Sequence, residues 1–207
     1  MPHLLIYGDS NTHGTLPMEE GRDAGSLGPE ARWAGHLAAG LGPEWRVTVE
    51  GLPGRTTVHD DPVEGAWKNG ATVLPAILQS HAPVDVVAIM LGTNDLKARF
   101  AMTAADIAVA LESLLIMVVR FCPAARRMLI CPPPVEEVGP FAEIFENAAA
   151  RSAALASRIG PVAARNGAAF FDAGQVIAAD PADGIHFGAE AHAALGRALV
   201  APVAALE

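Results

Sequence analysis

Two short polar segments of this chain hold the residue types that nucleophilic catalysis needs. The first, GDSNTHG, follows the apolar run LLIY and contains Ser10, whose hydroxyl becomes a useful nucleophile only beside a base. The second, DGIHF, places the carboxylate of Asp183 three residues before the imidazole of His186. At that spacing the carboxylate can reach the imidazole Nδ1–H while Nε2 points elsewhere, which is the orientation a general base requires.

Two further segments could donate hydrogen bonds to a developing negative charge. MLGTNDLK contains Asn94, whose amide donates hydrogen bonds without carrying charge and therefore suits an oxyanion. EGLPGRTT contains Gly54, whose backbone N–H can approach a ligand closely because no side chain shields it. The neighbouring Arg55 is expected to be solvated, as an arginine beside a loop usually is.

Each segment, taken singly, also has an ordinary structural interpretation. Asp9, Ser10 and Asn11 are typical residues for capping a helix. Asn94 and the aspartate after it are typical of an Asx-turn. His186 could be a surface histidine near a helix start. The sequence favours the chemical interpretation only if the fold brings the segments together.

The surrounding sequence predicts elements that would do so. Short apolar runs typical of buried strands cover 3–7, 45–50, 84–91, 127–131 and 168–172. Segments with helical spacing cover 29–42, 69–82, 103–123, 141–167 and 188–207. Alternating strands and helices predict a doubly wound, three-layer α/β/α fold with a five-stranded parallel sheet, of the flavodoxin-like kind. Ligands of such sheets bind at the carboxyl ends of the strands, where every polar segment above lies.

Several local signals refine the predicted helices. Gly42 is expected to end the first one, and Thr103 with Asp106 resembles a capping box at the start of the third. Pro75 should sit in a first turn or kink the second helix. The alanine-rich stretch 141–167 is expected to form one long helix that bends, if at all, at Gly160-Pro161.

Length and composition indicate one globular domain over 1–207. Apolar residues make up 51% of the 207 residues and charged residues only 18%, which is typical of a well-packed core. With 23 acidic against 14 basic residues, the formal charge is −9, so neither nucleic acid nor an anionic membrane is an expected partner. Neutral or cationic small molecules fit better.

The N-terminal segment and the two cysteines show no sign of a secretory signal, a membrane span or a disulfide framework. The N-terminal segment has no basic region or cleavage site of a secretory signal, and no apolar run approaches the roughly 18 residues that would span a membrane. Cys122 and Cys131 each follow an apolar run and are expected in the core rather than at a metal or disulfide. The predicted location is the cytoplasm.

Other chemistries lack their characteristic motifs. There is no dinucleotide or Walker glycine loop, no G-x-S-x-G elbow and no spacing typical of a metal site. Flavodoxin-like sheets also carry receiver and flavin-binding domains, but a receiver needs an acidic pair after its first strand, and here Asp9 stands alone. A catalytically inactive binding module is a further alternative.

The four segments together resemble the SGNH, or GDSL-type, esterase and lipase family, whose motifs they match in family order. The resemblance implies that Ser10, Asp183 and His186 form the catalytic triad. It also implies that the Ser10 and Gly54 backbone N–H groups and the Asn94 amide form the oxyanion hole. Segments including IMLGTNDLKARF and DGIHF are most similar to small bacterial arylesterases and acetylesterases that also perform acyl transfer and perhydrolysis. No cofactor is implied.

The resemblance also implies substrate contacts and assembly. Phe141 and Phe145, four residues apart, fall in a region that narrows the active-site entrance and packs between subunits in the family, some members being octamers. A homo-oligomer restricted to short acyl esters is therefore expected, with Ile185 also contacting substrate. Asn11 stands where relatives usually carry Leu. His13, like Thr15, stands where an acyltransferase member has Trp, so hydrolysis is expected to dominate. Thioesterase or carbohydrate deacetylase activity is the alternative within the fold.

Overall fold

The computed structural model of the chain describes residues 1–19 and 25–207. Within them, five parallel strands form one sheet in the order β2-β1-β3-β4-β5. The strands are β1 (His3–Gly8), β2 (Arg46–Gly51), β3 (Val86–Met90), β4 (Arg126–Cys131) and β5 (Ala169–Asp172). The chain starts in the middle of the sheet, adds one strand on one side and then three on the other. The predicted doubly wound α/β architecture is confirmed.

Seven α-helices accompany the strands in the described residues. They are α1 (Ser10–His13), α2 (Trp33–Leu41), α3 (Gly70–His81), α4 (Ala104–Phe121), α5 (Ala148–Ala153), α6 (Leu155–Arg165) and α7 (Ala189–Ala204). None of them is both long enough and apolar enough to cross a membrane.

The two faces of the sheet are buried under different helices. Leu5 and Tyr7 of β1 belong to an apolar cluster with α3, α4 and α6, whereas Leu4 and Ile6 belong to a second cluster with α2 and α7. This alternation follows from the period of two along a strand. Because helices cover both faces of the sheet, β1 is apolar along its whole length. The polar residues that follow it are therefore conspicuous in the sequence.

Most predicted helix signals occur as expected. Gly42 ends α2 with φ 84°, in the left-handed half of backbone space. Thr103 and Asp106 form the reciprocal capping box of α4. Pro75 lies inside α3, whose first turn is capped instead by Asn69. Both cysteines are buried in the core.

The prediction of one long helix over 141–167 is wrong. A 3-10 turn covers Gly139–Phe141, and regular helix begins only after Asn147, which has φ 60°. The Ile144 carbonyl accepts a hydrogen bond from the Ala98 N–H at 2.8 Å, so a tertiary contact replaces a helical one. The later break lies at Ala154, and α6 continues through Gly160-Pro161. Tertiary packing therefore overrides the helix propensity of this stretch.

Candidate active site

Ser10 lies at the carboxyl end of β1, at the first position of the one-turn helix α1. The strand can turn this sharply because Gly8 has no side chain: a Cβ there would lie 2.0 Å from the Thr12 Oγ1. Asp9 caps the turn by accepting a hydrogen bond from the Asn11 N–H at 3.0 Å. The Ser10 N–H has no acceptor within α1, since the first N–H groups of a helix never do.

His186 and Asp183 lie in series behind the Ser10 hydroxyl. The His186 Nε2 is 3.1 Å from the Ser10 Oγ, and its Nδ1 is 2.6 Å from the Asp183 Oδ2. All three residues are buried, with exposures of 6% or less. A carboxylate on Nδ1 fixes the proton there and leaves Nε2 as the acceptor that faces the serine. The structure thus brings together two segments 173 residues apart in the chain, from Ser10 to Asp183.

Asp183 is held by more hydrogen bonds than its motif indicates. Its Oδ1 accepts from the Ile185 and His186 backbone N–H groups at 2.9 Å each, and its Oδ2 accepts from the Met18 N–H at 2.8 Å. Burial alone would raise the pKa of Asp183, but hydrogen bonds from the His186 side chain and from these N–H groups outweigh it and lower the pKa. The carboxylate therefore stays ionised beside the imidazole. Nothing in the sequence around Met18 indicates that its N–H bonds to Asp183.

Asn94 and Gly54 lie on neighbouring loops beside Ser10. Asn94 follows β3 and begins a 3-10 turn, and its Nδ2 donates to the Asp9 Oδ2 at 3.4 Å. Gly54 has φ 78°, a conformation that side chains rarely adopt, and a Cβ there would lie 2.2 Å from the Glu64 Oε2, so the position favours glycine. Both residues line the same cavity as Ser10 and His186.

The side chain of Asp95, on the loop that carries Asn94, hydrogen-bonds to the loop that carries Gly54. Its buried carboxylate accepts from the Thr57 N–H at 3.0 and 3.1 Å and from the Thr57 Oγ1–H at 2.5 Å. Burial raises the pKa of Asp95, and the Thr57 hydrogen bonds oppose that rise. The relative position of the loops carrying Gly54 and Asn94 is therefore set by a side-chain contact between them.

The expectation that Arg55 is solvated is wrong. Arg55 is only 4% exposed, and its guanidinium carbon lies 4.0 Å from the centre of the Tyr7 ring. Its Nη1 donates to the Gly8 carbonyl at 2.8 Å and to the Glu50 carbonyl. Burial lowers the pKa of Arg55, although the nearby Tyr7, Glu50 and Asp9 act to raise it. The side chain joins the ends of β1 and β2 next to the turn that carries Ser10.

The cavity above Ser10 has a volume of about 240 Å³ and two chemically different walls. The apolar wall comprises Phe141, Ile144, Phe145 and Ile185, and the Phe141 ring meets the His186 ring edge-on at 5.6 Å between centres. Thr15, Met18 and Pro53 complete the lining together with the charged residues described next.

A partly buried ion-pair network forms the charged wall, and sequence reasoning missed it: Asp61 and Lys97 are buried, whereas Glu64 and Arg99 are partly exposed. Lys97 and Glu64 line the cavity and are paired with each other, and Lys97 also lies 3.6 Å from Asp61. Arg99 bonds both acids, at 2.8 Å to Asp61 and 2.7 Å to Glu64. Burial acts to raise the pKa of Asp61, but hydrogen bonds from the Glu64 and Val63 N–H groups and from Arg99 bring it down to about 2. Nothing in the local sequence around these four residues indicates the network, because it depends on contacts between separate loops.

Two residues expected to contact substrate lie elsewhere. Asn11 is buried, and its Nδ2 donates to the Ile185 carbonyl at 3.0 Å. The His13 Nδ1 lies 3.4 Å from the Thr15 Oγ1. Among the described residues that line the cavity, neither Asn11 nor His13 is present. Asn11 contacts the loop that carries His186, whereas Phe141, Phe145 and Ile185 line the cavity.

A hydroxyl, an imidazole and a carboxylate in series at the carboxyl edge of a parallel sheet are typical of enzymes that transfer acyl groups through a serine. A family model described as the GDSL-like Lipase/Acylhydrolase family matches residues 6–194. The chain therefore belongs to this family, as its motifs predict.

Solved structures of related proteins match this chain over its whole length. The native aryl esterase of M. smegmatis is 39% identical, with a TM-score of 0.95 and 100% of each chain covered. Est24, a carbohydrate acetylesterase from Sinorhizobium meliloti, is 38% identical with the same TM-score and coverage. Another carbohydrate acetylesterase family member from that organism is 35% identical, with a TM-score of 0.92, 100% of this chain and 99% of the other covered. No curated protein matches the sequence. The chain is a carboxylic ester hydrolase of the SGNH type.

Proposed function

We propose that the protein hydrolyses short acyl esters, of acetyl or aryl type, through an acyl-enzyme on Ser10. The observation that carries this proposal is the continuous series from the Ser10 Oγ to the His186 Nε2 at 3.1 Å and from the His186 Nδ1 to the Asp183 Oδ2 at 2.6 Å, at the wall of a cavity. In the proposed roles, Ser10 is the nucleophile, His186 the general base and Asp183 the group that fixes the imidazole.

In the first half of the reaction, His186 accepts the Ser10 proton at Nε2 while the Ser10 Oγ attacks the ester carbonyl. Asp183 keeps the other imidazole proton on Nδ1 and stabilises the imidazolium that forms. The carbonyl oxygen becomes an oxyanion, to which the Ser10 and Gly54 N–H groups and the Asn94 amide donate. Return of the Nε2 proton to the alkoxy oxygen then breaks the ester bond and releases the alcohol.

The second half repeats these steps with water. His186 removes a proton from water as the water oxygen attacks the acyl carbon, and the same donors hold the second oxyanion. Its collapse returns the proton to the Ser10 Oγ and releases the carboxylic acid. Another alcohol or peroxide in place of water would give acyl transfer or perhydrolysis. The hydroxyl of Thr15 on the cavity wall favours a hydrated site, so we expect hydrolysis to dominate.

Cavity size supports a short acyl group. A volume of about 240 Å³ is below the roughly 300–1,000 Å³ of pockets that hold drug-sized ligands. Phe141 and Phe145 close the apolar wall, and their rings pack edge-to-face at 6.4 Å between centres. We expect a p-nitrophenyl ester series to give its highest kcat/KM at acetate or propionate and to fall steeply for longer chains.

A second candidate is deacetylation of carbohydrates, which the two S. meliloti relatives are described as performing. The observation that favours it is the charged wall, because Glu64 and Lys97 could hydrogen-bond hydroxyl groups of a leaving sugar. Comparing kcat/KM for an acetylated sugar and for phenyl acetate would decide between them. A higher value for the sugar would make carbohydrate deacetylation the main activity.

We infer also that the chain forms a homo-oligomer. Val109, Ile116 and Val119 of α4 are 56%, 58% and 44% exposed and lie on one stripe of that helix. Such an exposed apolar face is typical of a surface that a partner covers. Light scattering should give a multiple of the 21.4 kDa chain mass. A measured mass equal to that of a single chain would contradict the inference.

The test of the proposed function is Ser10→Ala, with Ser80→Ala as its matched control. Ser80 is an exposed serine on α3 whose hydroxyl donates to the Ile77 carbonyl of its own helix. We expect Ser10→Ala to lose at least about 10³-fold in kcat for phenyl acetate, because the nucleophile is gone. Ser80→Ala should match the unmodified enzyme. Activity of Ser10→Ala within tenfold of the unmodified enzyme would refute the assignment.

A further inference from the structure

Asp9 is a buried carboxyl group that the proposed reaction does not use. It is 1% exposed, directly precedes Ser10 in the chain and contacts the Asn94 amide. Its Oδ1 accepts from the Asn11 N–H at 3.0 Å, which forms the cap of α1. Its Oδ2 accepts from the Asn94 Nδ2 at 3.4 Å. The second contact has no part in capping, and it involves the side chain expected to stabilise the oxyanion.

The protonation state of Asp9 decides which end of the Asn94 amide can lie against it. An ionised carboxylate only accepts hydrogen bonds, so it selects the orientation in which Asn94 presents Nδ2. One of the two N–H bonds of that group then goes to Asp9. The other is available to the cavity, which Asn94 lines together with Ser10.

A protonated Asp9 removes that selection. Its O–H can donate to the Asn94 Oδ1, which becomes possible when the amide turns over by half a rotation. The amide then presents an acceptor to the cavity in place of a donor. An oxyanion would meet a lone pair at that position, and the transition state would lose one of its proposed donors.

We propose that Asp9 is a positioning residue whose ionised carboxylate keeps the Asn94 amide oriented as a hydrogen-bond donor to the oxyanion. The proposal rests on the proposed function, because it requires Asn94 to act in the oxyanion hole. Asp9 itself touches neither substrate nor the reacting atoms and acts only through Asn94.

The surroundings of Asp9 make its ionisation sensitive to pH in the working range. Burial raises the pKa of Asp9 to about 6, and the Asn11 N–H, His186 and Arg55 oppose that rise while Asp95 adds to it. These groups come from α1, from the loop before α7 and from the loops after β2 and β3. As the pH falls through about 6, Asp9 takes up a proton and the orienting contact is lost. Asp183 does not join this titration, because its pKa is lowered.

The test is the acid limb of log kcat/KM against pH with phenyl acetate, the released phenol being measured directly. Protonation of Asp9 should lower kcat/KM of the unmodified enzyme as the pH falls through about 6, so its acid limb should be steeper than that of Asp9→Asn in this range. Asp9→Asn should lack this additional fall. Its plateau kcat should fall by up to about 10²–10³, the usual effect of one oxyanion donor, with KM little changed. The asparagine can still accept from the Asn11 N–H, so the melting temperature should not fall.

The control is Asn94→Ala, alone and combined with Asp9→Asn. Because Asp9 is proposed to act through Asn94, the single Asn94→Ala variant should already lack the additional fall of kcat/KM near pH 6, which tests the proposal even if Asp9→Asn does not fold. Adding Asp9→Asn to Asn94→Ala should cost less than twofold further. An acid limb as steep as that of the unmodified enzyme in either single variant, or additive losses in the double variant, would overturn the role of Asp9. If Asn94→Ala and Ser10→Ala both keep full activity, the proposed function itself fails.

Discussion

Replacing Asp183 by Asn tests how the carboxylate directs the imidazole. Asp183 accepts four hydrogen bonds, two on each oxygen, and donates none. An asparagine has only one accepting oxygen, so one pair of donors must lose its acceptor. If the new NH₂ group replaces Oδ2, it faces the Met18 N–H and the His186 Nδ1. If it replaces Oδ1, it faces the backbone N–H groups of Ile185 and His186.

The first orientation changes the chemistry of the imidazole. The asparagine NH₂ donates to Nδ1, so the ring proton moves to Nε2, where His186 can no longer accept the Ser10 proton. The same substitution in a serine protease triad lowers kcat by about 10⁴, and we expect on the order of 10³–10⁴ here, or roughly 4–5.5 kcal/mol in activation free energy. In this orientation only the Met18 N–H is left without an acceptor, so folding stability should fall by about 1–3 kcal/mol. In the other orientation two backbone N–H groups lose theirs, and folding stability should fall by about 2–6 kcal/mol.

The assay is kcat for phenyl acetate beside the free energy of unfolding in urea. Asp180→Asn is the matched control, because it makes the same change in the same loop. Asp180 caps this turn by accepting from the Ala182 N–H at 2.9 Å, a contact that the asparagine oxygen can keep. The control should keep its activity within about twofold, as expected of a substitution away from the reacting groups. Asp183→Asn activity within tenfold of the unmodified enzyme would refute the tautomer argument.

Four other changes have expected outcomes. Gly54→Ala should lower both the melting temperature and kcat, because φ is 78° and the new Cβ would lie 2.2 Å from the Glu64 Oε2; unchanged values would contradict the close approach. Lys97→Met should lower the urea unfolding free energy by about 1–3 kcal/mol, because the buried Asp61 loses one of its two cationic partners and keeps Arg99, and Glu64→Gln should partly restore it. Phe141→Ala should shift the best p-nitrophenyl ester to a longer chain, and an unchanged profile would place the acyl group elsewhere. Asp61 has a pKa of about 2 in the fold against 3.8 unfolded, so its ionised form adds about 2 kcal/mol to the free energy of unfolding. This contribution is present above pH 4 and disappears as the pH falls to 2. Unfolding free energies of Asp61→Asn measured over the same pH range should not show that loss.

The sheet and the series Ser10, His186 and Asp183 could be predicted from the sequence for physical reasons. Strands buried on both faces give uninterrupted apolar runs, so the polar residues that end them are conspicuous. Parallel strands place those ends at one edge of the sheet, which brings distant segments together without any knowledge of side-chain packing.

The supporting contacts could not be predicted, because they join residues that carry no local signal of their partners. The Met18 N–H reaches Asp183 across 165 positions, and Lys97 meets Glu64 across 33. Arg55 is buried because the Tyr7 ring and two carbonyls replace its water, a situation that its own segment does not reveal. The stretch after Gly139 has helical composition, and contacts from other loops decide its conformation.

The central claim is that Ser10 forms the covalent intermediate. The most direct measurement is reaction with a fluorophosphonate followed by intact-mass and peptide mass spectrometry, since such reagents attach to serines activated by a neighbouring base. The account predicts one adduct per chain, located on Ser10, complete loss of esterase activity on labelling, and no adduct in Ser10→Ala. An adduct on another residue, or unchanged labelling of Ser10→Ala, would contradict it.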